Sequence, residues 1–165
     1  MINRRTAIRQ VMILAGGMAL VPSLVKASGG PSIALRNLVL SGEEESLMAS
    51  VAEIIIPKTQ TPGARDLNLH LFVMKMVDDC YDEGSQQRFL RGLKVFSGID
   101  AASLKELVVS VNFGKAVADE DAKYFYRVMK QQTINGYMNS KYVMTNLIVW
   151  ELVPARYNGY FPVKS

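Results

Sequence analysis

The chain has 165 residues, 49% of them hydrophobic and 21% charged, with 19 Lys and Arg against 15 Asp and Glu for a formal charge of +4. A single cysteine excludes an intramolecular disulfide, a covalent haem of the C-x-x-C-H kind and a cysteine-held iron–sulfur cluster. The positive excess does not form a nucleic-acid surface, because Arg4, Arg5, Arg9 and Lys26 crowd the amino terminus and the bases beyond them only balance the acids.

Residues 1–27 read as an export signal. Arg4, Arg5 and Arg9 supply a positive n-region, an apolar run from Val11 to Val21 comes next, and Val25-Lys26-Ala27 offers a small-residue cut site after Ala27. The Arg4-Arg5 pair points to the twin-arginine route, which carries proteins already folded, although Ala7 stands where that signal usually has an aromatic residue. An ordinary secretory signal and a leader retained as an anchor are the alternatives. The apolar run holds Gly16-Gly17 and meets Pro22, so it falls short of the ~20 residues a membrane span needs. No cysteine lies near the cut, which argues against a lipid anchor. The chain beyond the leader is long enough for one domain with a proper core and short for two.

Residues 28–40 are punctuated by Gly, Ser and Pro and read as a linker or extended arm whose order depends on a partner. A helical domain is expected over 41–153. Ser41 is its first N-cap, with Glu43, Glu44 and Glu45 in the first turn, where carboxylates face the positive end of the helix dipole. Leu47, Val51, Ile54 and Ile55 form the apolar stripe and Pro57 ends the helix. Residues 57–66 hold Pro57, Pro62 and Gly63 and predict a connection of fixed shape.

Leu69, Phe72, Val73, Met76, Val77 and Cys80 then recur at helical spacing, which places Cys80 in the core as an inert thiol and leaves Asp78, Asp79 and Asp82 on a solvated face. Further stripes are Phe89, Leu93 and Phe96; Leu104, Leu107, Val108 and Val111; Tyr124, Phe125, Val128 and Met129; and Val143, Leu147 and Trp150. Asp82-Glu83-Gly84-Ser85, Ser97-Gly98-Ile99-Asp100 and the acids Asp119 to Asp121 mark the turns and helix starts between them. The predicted class is all-α, a single compact bundle of about five to six helices with extended N- and C-terminal arms. The C-terminal arm, 154–165, is aromatic, with Tyr157, Tyr160 and Phe161 suited either to docking on a partner or to folding back over the bundle.

Little in the chain supports chemistry of its own. His70 is the sole histidine and is set beside an apolar stripe, the usual place for a partly buried hydrogen-bonding residue. H-x-x-x-H, E-x-x-H and G-x-G-x-x-G arrangements are absent, and the nine methionines are scattered over core stripes and leader. Neither a cofactor nor a metal is expected in this chain.

Ala52-Glu53-Ile54-Ile55-Ile56-Pro57, followed by Thr61-Pro62-Gly63-Ala64, resembles the small subunit (subunit 3) of gluconate 2-dehydrogenase. Thr133-Ile134-Asn135-Gly136-Tyr137 with Ser140, and Glu151-Leu152-Val153-Pro154 with Arg156-Tyr157-Asn158-Gly159-Tyr160, resemble the carboxyl-terminal segments of that family, with Ala155 where glycine is common. The resemblance implies a cofactor-free subunit of a periplasmic oxidoreductase, paired with a large FAD-bearing subunit of the glucose–methanol–choline type and able to feed a c-type cytochrome. Arg4 and Arg5 would then address the complex for export. The candidate partner contacts are Pro62, Gly63, Ala64, Tyr137 (placed after the fifth helix), Tyr157, Tyr160 and Phe161. Two other readings stand beside this one: a stand-alone binding or structural module of the cell envelope with no redox partner, and an exported enzyme using His70 with a nearby carboxylate.

Overall fold

The computed structural model describes residues 30–114, 119–148 and 159–160. Among them are six helices and no strand: α1 (Gly42–Ile55), α2 (Leu69–Cys80), α3 (Glu83–Phe96), α4 (Ala101–Asn112), α5 (Glu120–Met138) and α6 (Lys141–Asn146). The all-α expectation holds. None of these helices is long and apolar enough to cross a membrane.

Helix starts are set by local polar chemistry. Ser41 closes a capping box with Glu44, its hydroxyl accepting the Glu44 N–H while the Glu44 carboxylate accepts the Ser41 N–H. Asp82, Asp100, Asp119 and Ser140 cap α3 to α6 with their side chains. The exception is α2, whose N-cap Asn68 is left-handed at φ 51° and makes no side-chain cap. There the preceding connection supplies the acceptor, since Leu69 N–H donates to Ala64 O at 3.0 Å.

The longest helix, α5, packs against all five others. Its buried side, which includes Ala122, Phe125, Val128, Met129 and Thr133, follows the helical repeat and faces the core. Phe125 stands between Phe89 and Phe96 of α3, with ring centroids 4.9 and 5.0 Å away and tilted planes, the geometry aromatic pairs prefer. The approach is close because α3 carries Gly92. A Cβ there would lie 2.6 Å from the Phe125 Cβ and collide with the Asp121 carbonyl oxygen.

Several expectations change. On α2 the buried face is Leu69, His70, Val73, Met74, Val77 and Asp78, turned away from the Phe72, Met76 and Cys80 row. Phe72 is exposed and Cys80, the last residue of the helix, is an exposed free thiol rather than a core one. Asp78, expected in solvent, is buried. The cause is the 30–40 arm. It lies along this side of the bundle with Leu38 and Leu40 buried and Ile33 and Leu35 packed against the core, so its order comes from its own chain. Finally, α5 continues through Tyr137 to Met138, and α6 stops at Asn146, leaving Leu147 exposed as its C-cap. Trp150, expected on that last stripe, lies outside the described residues.

Candidate functional site

Two buried acids clasp the arm. Asp78 on α2 accepts the backbone N–H groups of Arg36 at 2.8 Å, Asn37 at 2.7 Å and Leu38 at 2.9 Å, and Lys75 adds a contact at 3.4 Å. Burial raises the Asp78 pKa, but these donors outweigh it and hold the carboxyl at about 2. Glu45 on α1 accepts the N–H of Ser32 at 2.5 Å and its hydroxyl at 2.6 Å. The arm is therefore pinned at both ends to two different helices.

His70 belongs to the same layer. It is 7% exposed, its Nε2 lies 3.6 Å from a Glu45 oxygen, and its Nδ1 is buried with no hydrogen-bond partner. Burial lowers its pKa below the ordinary 6.5, Glu45 opposes that shift and Arg65 adds to it. His70 is thus enclosed beside a carboxylate already committed to Ser32. Among the described residues no three His, Cys, Asp or Glu side chains gather as a metal site.

The 57–66 connection is organised by Glu53 of α1. Its carboxylate accepts the N–H groups of Lys58 and Arg65, both at 2.9 Å, and Ala64 N–H donates to Ile56 O at 2.9 Å. Gly63 sits so close that a Cβ would lie 2.6 Å from the Glu53 carboxylate and 2.7 Å from the Lys58 nitrogen. Ala64 is buried, and Pro62 and Tyr137 are half-buried. Tyr137 donates its hydroxyl to Thr61 Oγ1 at 3.3 Å, joining α5 to the connection. Structure thus brings Tyr137 to the link that holds Pro62, Gly63 and Ala64. Tyr160 is 97% exposed in a turn. Arg4, Arg5, Tyr157 and Phe161 lie outside the described residues.

Sequence reasoning missed a second surface. Val109 and Phe113 at the end of α4, and Ile134 and Met138 on α5, are large apolar side chains left 44%, 70%, 42% and 48% exposed. On α5 they share a face with Lys123, Arg127 and Lys130, opposite the buried stripe. The available signal was that Ile134 and Met138 fall off the 125, 128, 129 register, apolar where a helix ordinarily turns polar.

Residues 42–155, more than half of the chain and all six helices, match the family described as Gluconate 2-dehydrogenase subunit 3. No curated protein and no solved structure matches the chain. Two of the segments that carry the resemblance close the bundle, the α1 end with its Gly63 turn and the Gly136-Tyr137 step that meets it, while most of the third, 151–160, lies outside the described residues. The chain belongs to the gluconate 2-dehydrogenase subunit 3 family.

Proposed function

We propose that this protein is the non-catalytic small subunit of a periplasmic FAD-dependent sugar or polyol dehydrogenase, acting as export escort and stabilising scaffold for a large flavin subunit of the glucose–methanol–choline type. The observation that carries the reading is family membership across the helical bundle. FAD belongs to the partner subunit, and a c-type cytochrome is a candidate further partner.

Physical support comes from the clasped arm. Glu45 and Asp78 fix the residues that come after the leader onto the bundle, so a leader carrying Arg4 and Arg5 is joined to a folded body by a short tether. A flavin subunit folds around its cofactor before export and travels with that body. Binding only the native partner also stabilises it by mass action.

The test is deletion of this chain in its native host, followed by fractionation and a flavin-dependent dehydrogenase assay. The expected result is a large subunit that is insoluble or held in the cytoplasm. Normal secretion of an active large subunit would defeat the escort role and favour the stand-alone envelope module.

A further inference from the structure

The edge between α4 and α5 has the form of a binding groove. Two depressions of about 450 Å³ and 220 Å³ adjoin there and share Asn112, Tyr126, Lys130 and Ile134. One end is aliphatic, walled by Ile54, Ile55 and Val109. The other is cationic, walled by Lys123 and Arg127. Phe113, 70% exposed, stands at the C-cap of α4, whose neighbouring residues line the groove.

Three cations share one carboxylate here, since Glu120, paired with Lys123, also acts on Arg127 at longer range. Lys123 pairs with Glu120 at 2.8 Å, but Lys130 donates to the neutral amide oxygen of Asn112 at 2.7 Å, and Arg127 lies 5.3 Å from the Tyr124 ring. Among the described residues neither Lys130 nor Arg127 forms an ion pair with a carboxylate. Contrast Arg88 and Arg91, which share Asp121 at 2.9 and 2.6 Å.

We propose that this groove docks an acidic, amphipathic segment of the partner subunit, its aliphatic side chains entering between Ile54 and Ile134 and its carboxylates meeting Arg127 and Lys130. The inference rests on the subunit reading given above. Charge selects this occupant over two others. The chain's own residues 149–165 carry Glu151 against Arg156 and Lys164, and a second copy would bring the same cations to the same place. Helix-in-groove docking of this kind draws affinity from apolar anchors, while complementary charge sets orientation and encounter rate.

The test uses the full chain, affinity-tagged in its native host, with Arg127→Glu and Ile134→Ser. Arg127→Glu places a carboxylate between Lys123 and Lys130, four residues back and three on, so the helix is kept while the charge of the three positions falls from +3 to +1. The expected result is co-elution of a large chain with the unaltered protein, and an affinity weaker by on the order of tenfold, with a shallower salt dependence, in Arg127→Glu. Retention of the partner at full affinity by both variants would overturn the groove and leave the subunit reading standing. No co-eluting chain with the unaltered protein would overturn both. A fall in the melting temperature of the free chain with Ile134→Ser that disappears when both proteins lack residues 149–165 would assign the groove to the chain's own arm. Binding of the free chain to vesicles of anionic phospholipid, lost in Arg127→Glu with partner affinity unchanged, would assign it to a lipid surface. Either of those results overturns the proposal.

Discussion

The carboxylate of Asp78 accepts the backbone N–H of Leu38 at 2.9 Å across 40 residues of sequence. Its side chain is fully buried, and Arg36 and Asn37 donate to the same group. Three donors converge on one anion, so the arm and α2 fold as a unit. Asp78→Asn keeps the shape but turns an acceptor into a donor facing backbone N–H groups. We expect a loss of about 3 kcal/mol, read from the urea midpoint, and new protease cleavage within residues 30–40. An unchanged midpoint would mean that burial of Leu38 and Leu40 holds the arm without the clasp.

Below neutrality two buried groups should couple stability to pH, both with depressed folded-state values, beside the surface carboxylates Asp66, Asp82, Asp100, Glu120 and Asp121 that are lowered in the same direction. His70 titrates below its ordinary 6.5 because burial disfavours the imidazolium, so the unfolded chain takes up that proton first. Its contribution is complete above pH 6.5 and is lost as pH falls through the folded value. Asp78 contributes above 3.8 and loses its contribution as pH falls towards about 2, roughly 2 kcal/mol in all. Urea midpoints measured against pH should show both steps in the unaltered protein, and His70→Gln should remove the upper one alone. A His70→Gln profile that still falls at the upper step would place that titration on another group.

Helix periodicity was legible because it is local. Phe89, Leu93, Phe96, Leu104, Val108, Phe125, Val128 and Met129 are all buried as their spacing implies, and the capping signals at Ser41, Asp82, Asp100 and Asp119 all act as read. The face of α2 was not legible. Both the Phe72, Met76, Cys80 row and the His70, Met74, Asp78 row flank Leu69, Val73 and Val77, and the apolar row was the natural choice. The polar row is buried by the backbone of Arg36 to Leu38, and nothing near position 78 announces those donors. The groove was hidden for a related reason: exposure of Ile134 depends on where α4 ends.

Cys80 provides a direct check of that rotated face. It terminates α2 and is exposed. The thiol should react stoichiometrically with a neutral maleimide in the native protein, without denaturant. Asp79 and Asp82, both exposed, lie close in sequence, so an anionic disulfide reagent should react more slowly than the maleimide. Labelling only after unfolding would return Cys80 to the core and Asp78 to solvent, and the arm would then need another anchor.

Gly92→Ala tests the packing of α3 on α5 that holds the aromatic cluster together. A Cβ at this position meets Asp121 O and the Phe125 Cβ, both on α5, so neither neighbour can yield by rotating a flexible side chain. In an isolated helix the change from glycine to alanine stabilises by roughly 1 kcal/mol through propensity. Here the helices must separate. Separation would also loosen the Phe89 and Phe96 contacts with Phe125 and pull Asp121 away from Arg88 and Arg91. Overpacking of about 1–3 kcal/mol should therefore win over the propensity gain, lowering the melting temperature and leaving helix content by circular dichroism nearly unchanged. A melting temperature that rises instead would show that propensity decides at this crossing and that α3 and α5 stand further apart than the aromatic cluster requires.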